Sequence, residues 1–96
     1  MKNSKLEKNH KQKTLLNLKK AQSHVGKIVQ MVEDDEYCVD TMQQVLAVLG
    51  LLRSSHEKLM KNHLNTCFRK AMESKNERKK KEMIEEILKV TSLFNR

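Results

Sequence analysis

Residues 42–63 read MQQVLAVLGLLRSSHEKLMKNH, and this stretch decides the fold. Met42, Val45, Leu49, Leu52, His56, Leu59 and His63 alternate at spacings of three and four, the seam of an amphipathic helix. Between Asp40 and Glu73 only Gly50 weakens the pattern, at a cost of about 1 kcal/mol relative to alanine. At 1.5 Å per residue those roughly 34 positions reach about 50 Å. A compact monomer of this length has a radius of gyration of about 12–13 Å, hence a diameter of roughly 30 Å. The helix outruns its own domain. Its far half needs a second chain, and an antiparallel dimer of helical bundles is the economical expectation.

Outward from this seam, Leu18, Ala21, Val25, Ile28 and Val32 form one face of a first helix, with Thr14 as its expected N-cap. Residues 1–13 are polar and lysine-rich without apolar periodicity, and read as a flexible basic arm. Glu33, Asp34, Asp35, Glu36 and Asp40 interrupt the stripe and suit a loop leading into a helix N-terminus, where negative charge is favoured. After the long helix, Glu73 to Glu82 read as a charged connector that includes Arg78, Lys79, Lys80 and Lys81. A shorter third helix follows, with Ile84, Ile87, Leu88, Thr91 and Phe94 on one side. Residues 14–96 are thus expected to be a single all-α domain.

Composition narrows the class from another direction. The chain has 96 residues, a net charge of +8, no proline, no tryptophan and two glycines. Sheet folds need turn residues at every corner, and here there are almost none; two cysteines are too few for a disulfide scaffold. No apolar run exceeds Val45 to Leu52, so no segment reads as a membrane span or a signal peptide, and a cytoplasmic protein is expected. Nucleophile elbow, glycine-rich phosphate loop and paired carboxylates are all missing, which argues against an enzyme with a small-molecule substrate. Seven lysines and one glutamate in residues 1–20 carry +6 of the +8. Such charge attracts a polyanion, and Lys19 and Lys20 join the arm in that role. With Tyr37, Phe68 and Phe94 as the only aromatics, base stacking is poorly served, so a duplex is the expected partner.

Soft-ligand chemistry is confined to Cys38, Cys67 and four histidines. His63 and Cys67 are four apart on the long helix and share a face. Cys38 lies 29 positions earlier, about 40 Å along a straight helix, so it cannot complete a site in its own chain. In an antiparallel dimer the start of one long helix lies near the far part of its partner, where Cys38 of one chain could meet His63 and Cys67 of the other. Two thiolates and an imidazole favour Cu(I) or Zn(II), and because closed structural zinc sites take four ligands, a set of three leans toward trigonal Cu(I) or toward an open zinc site. The plainer alternative is a helical interaction protein whose cysteines and histidines only fill space.

The stretches Ala21–Ile28 and Met31–Asp40, then Gln43-Gln44, Ala47-Val48 and Asn62–Cys67, resemble the copper-sensing operon repressor family of transcriptional regulators. Its sharpest element here is Tyr37-Cys38-Val39-Asp40 followed at the family's spacing by His63-Leu64-Asn65-Thr66-Cys67. The resemblance covers roughly residues 14–94. It implies a three-helix subunit with a long second helix, paired as an antiparallel dimer and assembled into a tetramer, a dimer of dimers. It implies Cu(I) held by Cys38 of one subunit with His63 and Cys67 of the other, Zn(II) and Ni(II) standing behind Cu(I). Metal binding in such repressors releases double-stranded operator DNA. Tyr37 matches the tyrosine beside the first cysteine. The glutamate that supports the copper site falls on Met83 by direct spacing, with Glu82, Glu85 and Glu86 within a small shift. The extra N-terminal histidine of nickel and cobalt sensors falls on Leu6, and His10 is four residues away. Two arginines usual in the family fall on Asn17 and Leu49, so Lys13, Lys19, Lys20 and Arg53 are the candidates for DNA contact. The family also contains thiol sensors of persulfide or formaldehyde, which work through the two cysteines and keep the same fold.

Overall fold

The computed structural model of the chain describes residues 5–95, whose regular structure is entirely helical. Helix α1 spans Lys5–Glu33 and α2 spans Cys38–His63. A π-helical turn, Leu64–Phe68, leads into α3 at Arg69–Glu73, and α4 spans Glu77–Phe94. The all-α expectation holds. Among the described residues, no helix is long and apolar enough to cross a membrane. Two compact units can be described, one ending at Met60 and the other beginning at Lys61.

In the first unit, α1 begins well before Thr14. Part of the expected arm, residues 1–4, lies outside the described residues, and the rest is helix. Lysine, leucine, glutamine and glutamate propagate a helix well, and neither glycine nor proline occurs between Lys5 and Val25 to stop it. Thr14 is therefore no cap. It sits inside α1, buried, with its hydroxyl oxygen 3.5 Å from His10 Nε2.

The acidic stretch ends α1 in a defined way. Glu36 N–H donates to Met31 O at 3.0 Å and Asp35 N–H donates to Val32 O at 3.1 Å, the paired bonds of a Schellman turn. Asp35 takes the left-handed position with φ 54°, which glycine normally occupies and aspartate tolerates. The chain then enters α2 with Asp40 in its first turn, where the helix dipole favours an anion.

Small and polar side chains join α1 to α2. Ala21 and Val48 are buried, as are Thr14 and Ser55. Asn17 Nδ2 donates to Ser54 Oγ at 3.2 Å, and His24 bonds Gln44 at 2.6 Å. Lys58 Nζ also donates to Ser54 Oγ, at 2.9 Å. The apolar seam is elsewhere. At 3.6 residues per turn it lies roughly a quarter of a turn from the face of Gln44, Val48 and Ser55. Met42, Val45, Leu49, Leu52 and Leu59 are all exposed, Leu49 to half its full area.

In the second unit, Thr66 Oγ1 donates to Asn62 O at 2.7 Å, occupying an acceptor that an α-helical backbone N–H would use. The widened π turn sits at this place. After α3, Ser74 turns extended and its hydroxyl donates to Ala71 O at 2.7 Å. Asn76 then caps α4, its Oδ1 accepting from Lys79 N–H at 3.0 Å. The basic run Arg78–Lys81, expected in a connector, consequently lies within α4. Glu77 in the first turn suits the dipole and pairs with Lys80 at 3.1 Å, and Arg78 pairs with Glu82 at 3.4 Å.

Candidate metal centre

The two thiols that sequence chemistry singles out are both free and both exposed. Cys38 is the first residue of α2, placed there because the Schellman turn closes α1 and Tyr37 O accepts the Thr41 N–H at 3.2 Å, starting the new helix. Tyr37 beside it is exposed. Cys38 and Tyr37 belong to the first unit, His63 and Cys67 to the second.

His63 is the last residue of α2 and Cys67 lies in the π turn that follows. In a π register four residues fall just short of one turn, whereas in an α register they slightly overshoot it. Either way His63 and Cys67 keep to one side of the helix. The half-buried His63 ring meets Phe68, with centroids 6.4 Å apart and planes tilted by 55°. Among the described residues, no three His, Cys, Asp or Glu side chains gather closely enough to hold a metal ion.

A cavity of about 400 Å³ opens beside Cys67, within the second unit. Lys70, Asn76, Lys79 and Met83 border it with the thiol, and its walls are chiefly apolar. Of the residues around the position where a supporting glutamate was expected, Met83 reaches this cavity, while Glu82, Glu85 and Glu86 do not border it. Glu82 is instead paired with Arg78. Sequence reasoning missed the cavity because it forms across the Ser74–Asn76 turn. The readable signal was Asn76, a strong N-cap residue three positions before Lys79.

Of the residues expected to contact DNA, Lys13, Lys19 and Lys20 are exposed on α1 and Arg53 is exposed on α2, all in the first unit. Arg53 and His56 both have an interaction partner.

Residues 10–92 match the family described as metal-sensitive transcriptional repressor. The copper-sensing transcriptional repressor CsoR of Mycobacterium ulcerans (strain Agy99) is 42% identical over 62 residues, covering 65% of this chain and 53% of that protein. The protein of the same name from Mycobacterium tuberculosis (strain ATCC 25618 / H37Rv) is 42% identical over 62 residues, 65% of this chain and 52% of its own. The chain thus spans about half the length of the curated relatives it matches. Among solved structures, the copper-sensing repressor CsoR with Cu(I) from Geobacillus thermodenitrificans NG80-2 is similar with a TM-score of 0.81. The two are 27% identical, with 100% of this chain and 94% of the other covered.

Proposed function

Because the chain belongs to the metal-sensitive transcriptional repressor family, we propose that it is a cytoplasmic repressor which holds operator DNA in its apo form and releases it on binding Cu(I). Cys38 of one subunit, with His63 and Cys67 of its partner, forms the ligand set. The observation that carries this reading is the pair of free, exposed thiols on a chain that has no three-residue metal cluster among its described residues. A ligand set that one chain leaves incomplete suits a site shared between two. Two thiolates and an imidazole are soft donors, and bound Cu(I) supplies a centre that ties two subunits together.

The uncovered seam supports the same assembly. Exposed Val45, Leu49, Leu52 and Leu59 form an apolar ridge along α2, which a second antiparallel copy covers. Dimers pair in turn into a tetramer. Lys13, Lys19, Lys20 and Arg53 take the phosphates, a contribution that weakens as salt rises. Cu(I) and DNA then oppose each other through one coupling free energy, each lowering the protein's affinity for the other.

Fluorescence anisotropy with labelled operator duplex, with and without Cu(I), tests this. Binding by the apo protein that Cu(I) reverses is the expected result, and equal affinity in both states rejects the switch. Release by a persulfide or formaldehyde donor, with none by Cu(I), reassigns the protein to the thiol sensors.

A further inference from the structure

We infer that Met83 is a further ligand-side residue of the metal centre: it borders the same cavity as Cys67, and its thioether biases the centre toward Cu(I) over Zn(II). The inference rests on the Cu(I) reading of Cys67 given above.

Three observations within the unit beginning at Lys61 carry it. The first is placement. Cys67 comes from the π turn and Met83 from α4, yet both border one cavity of about 400 Å³. Methionine most often fills a core, but Met83 does not sit in one. It is half-buried against open space, and Ala71 is the one buried apolar side chain among the described residues of this unit.

The second is the donor's chemistry. A thioether is neutral, polarisable and soft, a donor that Cu(I) accepts and that Zn(II) ranks below thiolate, imidazole and carboxylate. It adds a soft contact to a three-donor set without adding charge.

The third is the charge around the cavity. Lys70 and Lys79 border it beside the two sulfur side chains. Two thiolates around Cu(I) leave a net charge of −1, and the same thiolates around Zn(II) leave none. Two exposed lysines bordering an apolar-walled cavity favour a nearby anionic complex over a neutral one, because opposite charges attract and apolar surroundings strengthen that attraction. Cations that would oppose a bare metal ion thus favour this particular complex. Thioether and lysines select in the same direction.

The test uses the full chain, reduced and anaerobic, with all methionines replaced by selenomethionine. Copper K-edge absorption of the Cu(I)-loaded protein should show a selenium scatterer at bonding distance, lost in Met83→Leu. Its absence from the labelled wild-type protein overturns the inference without reliance on any variant's folding. In parallel, Met83→Leu should lower Cu(I) affinity about tenfold or more in competition with a chromogenic chelator, with Zn(II) affinity changed far less. Equal loss for both metals, or none for either, also overturns it. Cys67→Ala separates the two levels. If that variant still binds Cu(I) stoichiometrically, the copper reading itself fails. If it loses Cu(I) while Met83→Leu matches wild type, only the role of Met83 fails.

Discussion

His24 on α1 donates its Nε2–H to Gln44 Oε1 on α2 across 2.6 Å, a short polar bridge between two helices whose buried apolar contact is limited to small side chains. Asn17 and Ser54 form a second such bridge at 3.2 Å. The first unit therefore fixes its helix pairing by hydrogen bonds, and these are specific to one register.

Removing one end of the shorter bridge exposes that dependence. His24→Ala leaves the half-buried Gln44 amide without its partner and should cost about 1–2 kcal/mol in urea unfolding. The double variant with Gln44→Leu should recover part of that loss, since an apolar pair strands no polar atom. A loss below a few tenths of a kcal/mol in the single variant contradicts the bridge.

Asp35 holds a left-handed conformation that favours glycine. Asp35→Gly should stabilise the fold by up to about 1 kcal/mol, and Asp35→Val should destabilise it by more, because a β-branched residue resists positive φ. Thermal melts of the two variants should bracket the wild type.

The exposed seam predicts assembly. Burying one leucine is worth about 1.5–3 kcal/mol, so placing a carboxylate at Leu49 should break the interface. Leu49→Glu should sediment at lower mass than wild type at equal concentration. Gln43→Glu, also exposed but off the seam, should sediment as wild type does. Identical masses for all three reject the seam as an interface.

A shared site predicts complementation. Neither Cys38→Ala nor Cys67→Ala alone should bind Cu(I) tightly. Mixing the two and allowing subunits to exchange creates mixed dimers in which one site is whole. Random exchange should restore about a quarter of wild-type capacity, measured by chelator competition. A site built within one chain gives no recovery at all.

Much of this was legible in the sequence, and the part that was not has physical causes. The seam from Met42 to His63 was readable because apolar periodicity marks a face directly. Periodicity does not say what covers that face, and the chain turns a different one inward. Asn17, His24, Gln44 and Ser54 look like solvated positions, yet they hydrogen-bond across α1 and α2, and Ser55 is buried although its hydroxyl bonds within α2. Lys5 to Lys13 lacked a stripe and read as an arm, although good helix formers without a breaker extend a neighbouring helix. The run Arg78–Lys81 read as connector because like charges dominate it, and Asn76 had already announced a helix start. For the candidate centre, Cys38, His63 and Cys67 stood out by residue type alone. Met83 did not, since its place on the same cavity as Cys67 depends on the turn between α3 and α4.

Ala21, Val48 and Ala71 are the only apolar side chains that the described part of one chain buries fully. So small an interior predicts that folding is coupled to assembly. Diluted below the assembly's dissociation constant, subunits should come apart by unfolding rather than persist as monomers, and apparent stability should climb with protein concentration. A subunit's survival in a cell should then follow its own abundance. Stray copies should fall to proteolysis sooner than assembled ones.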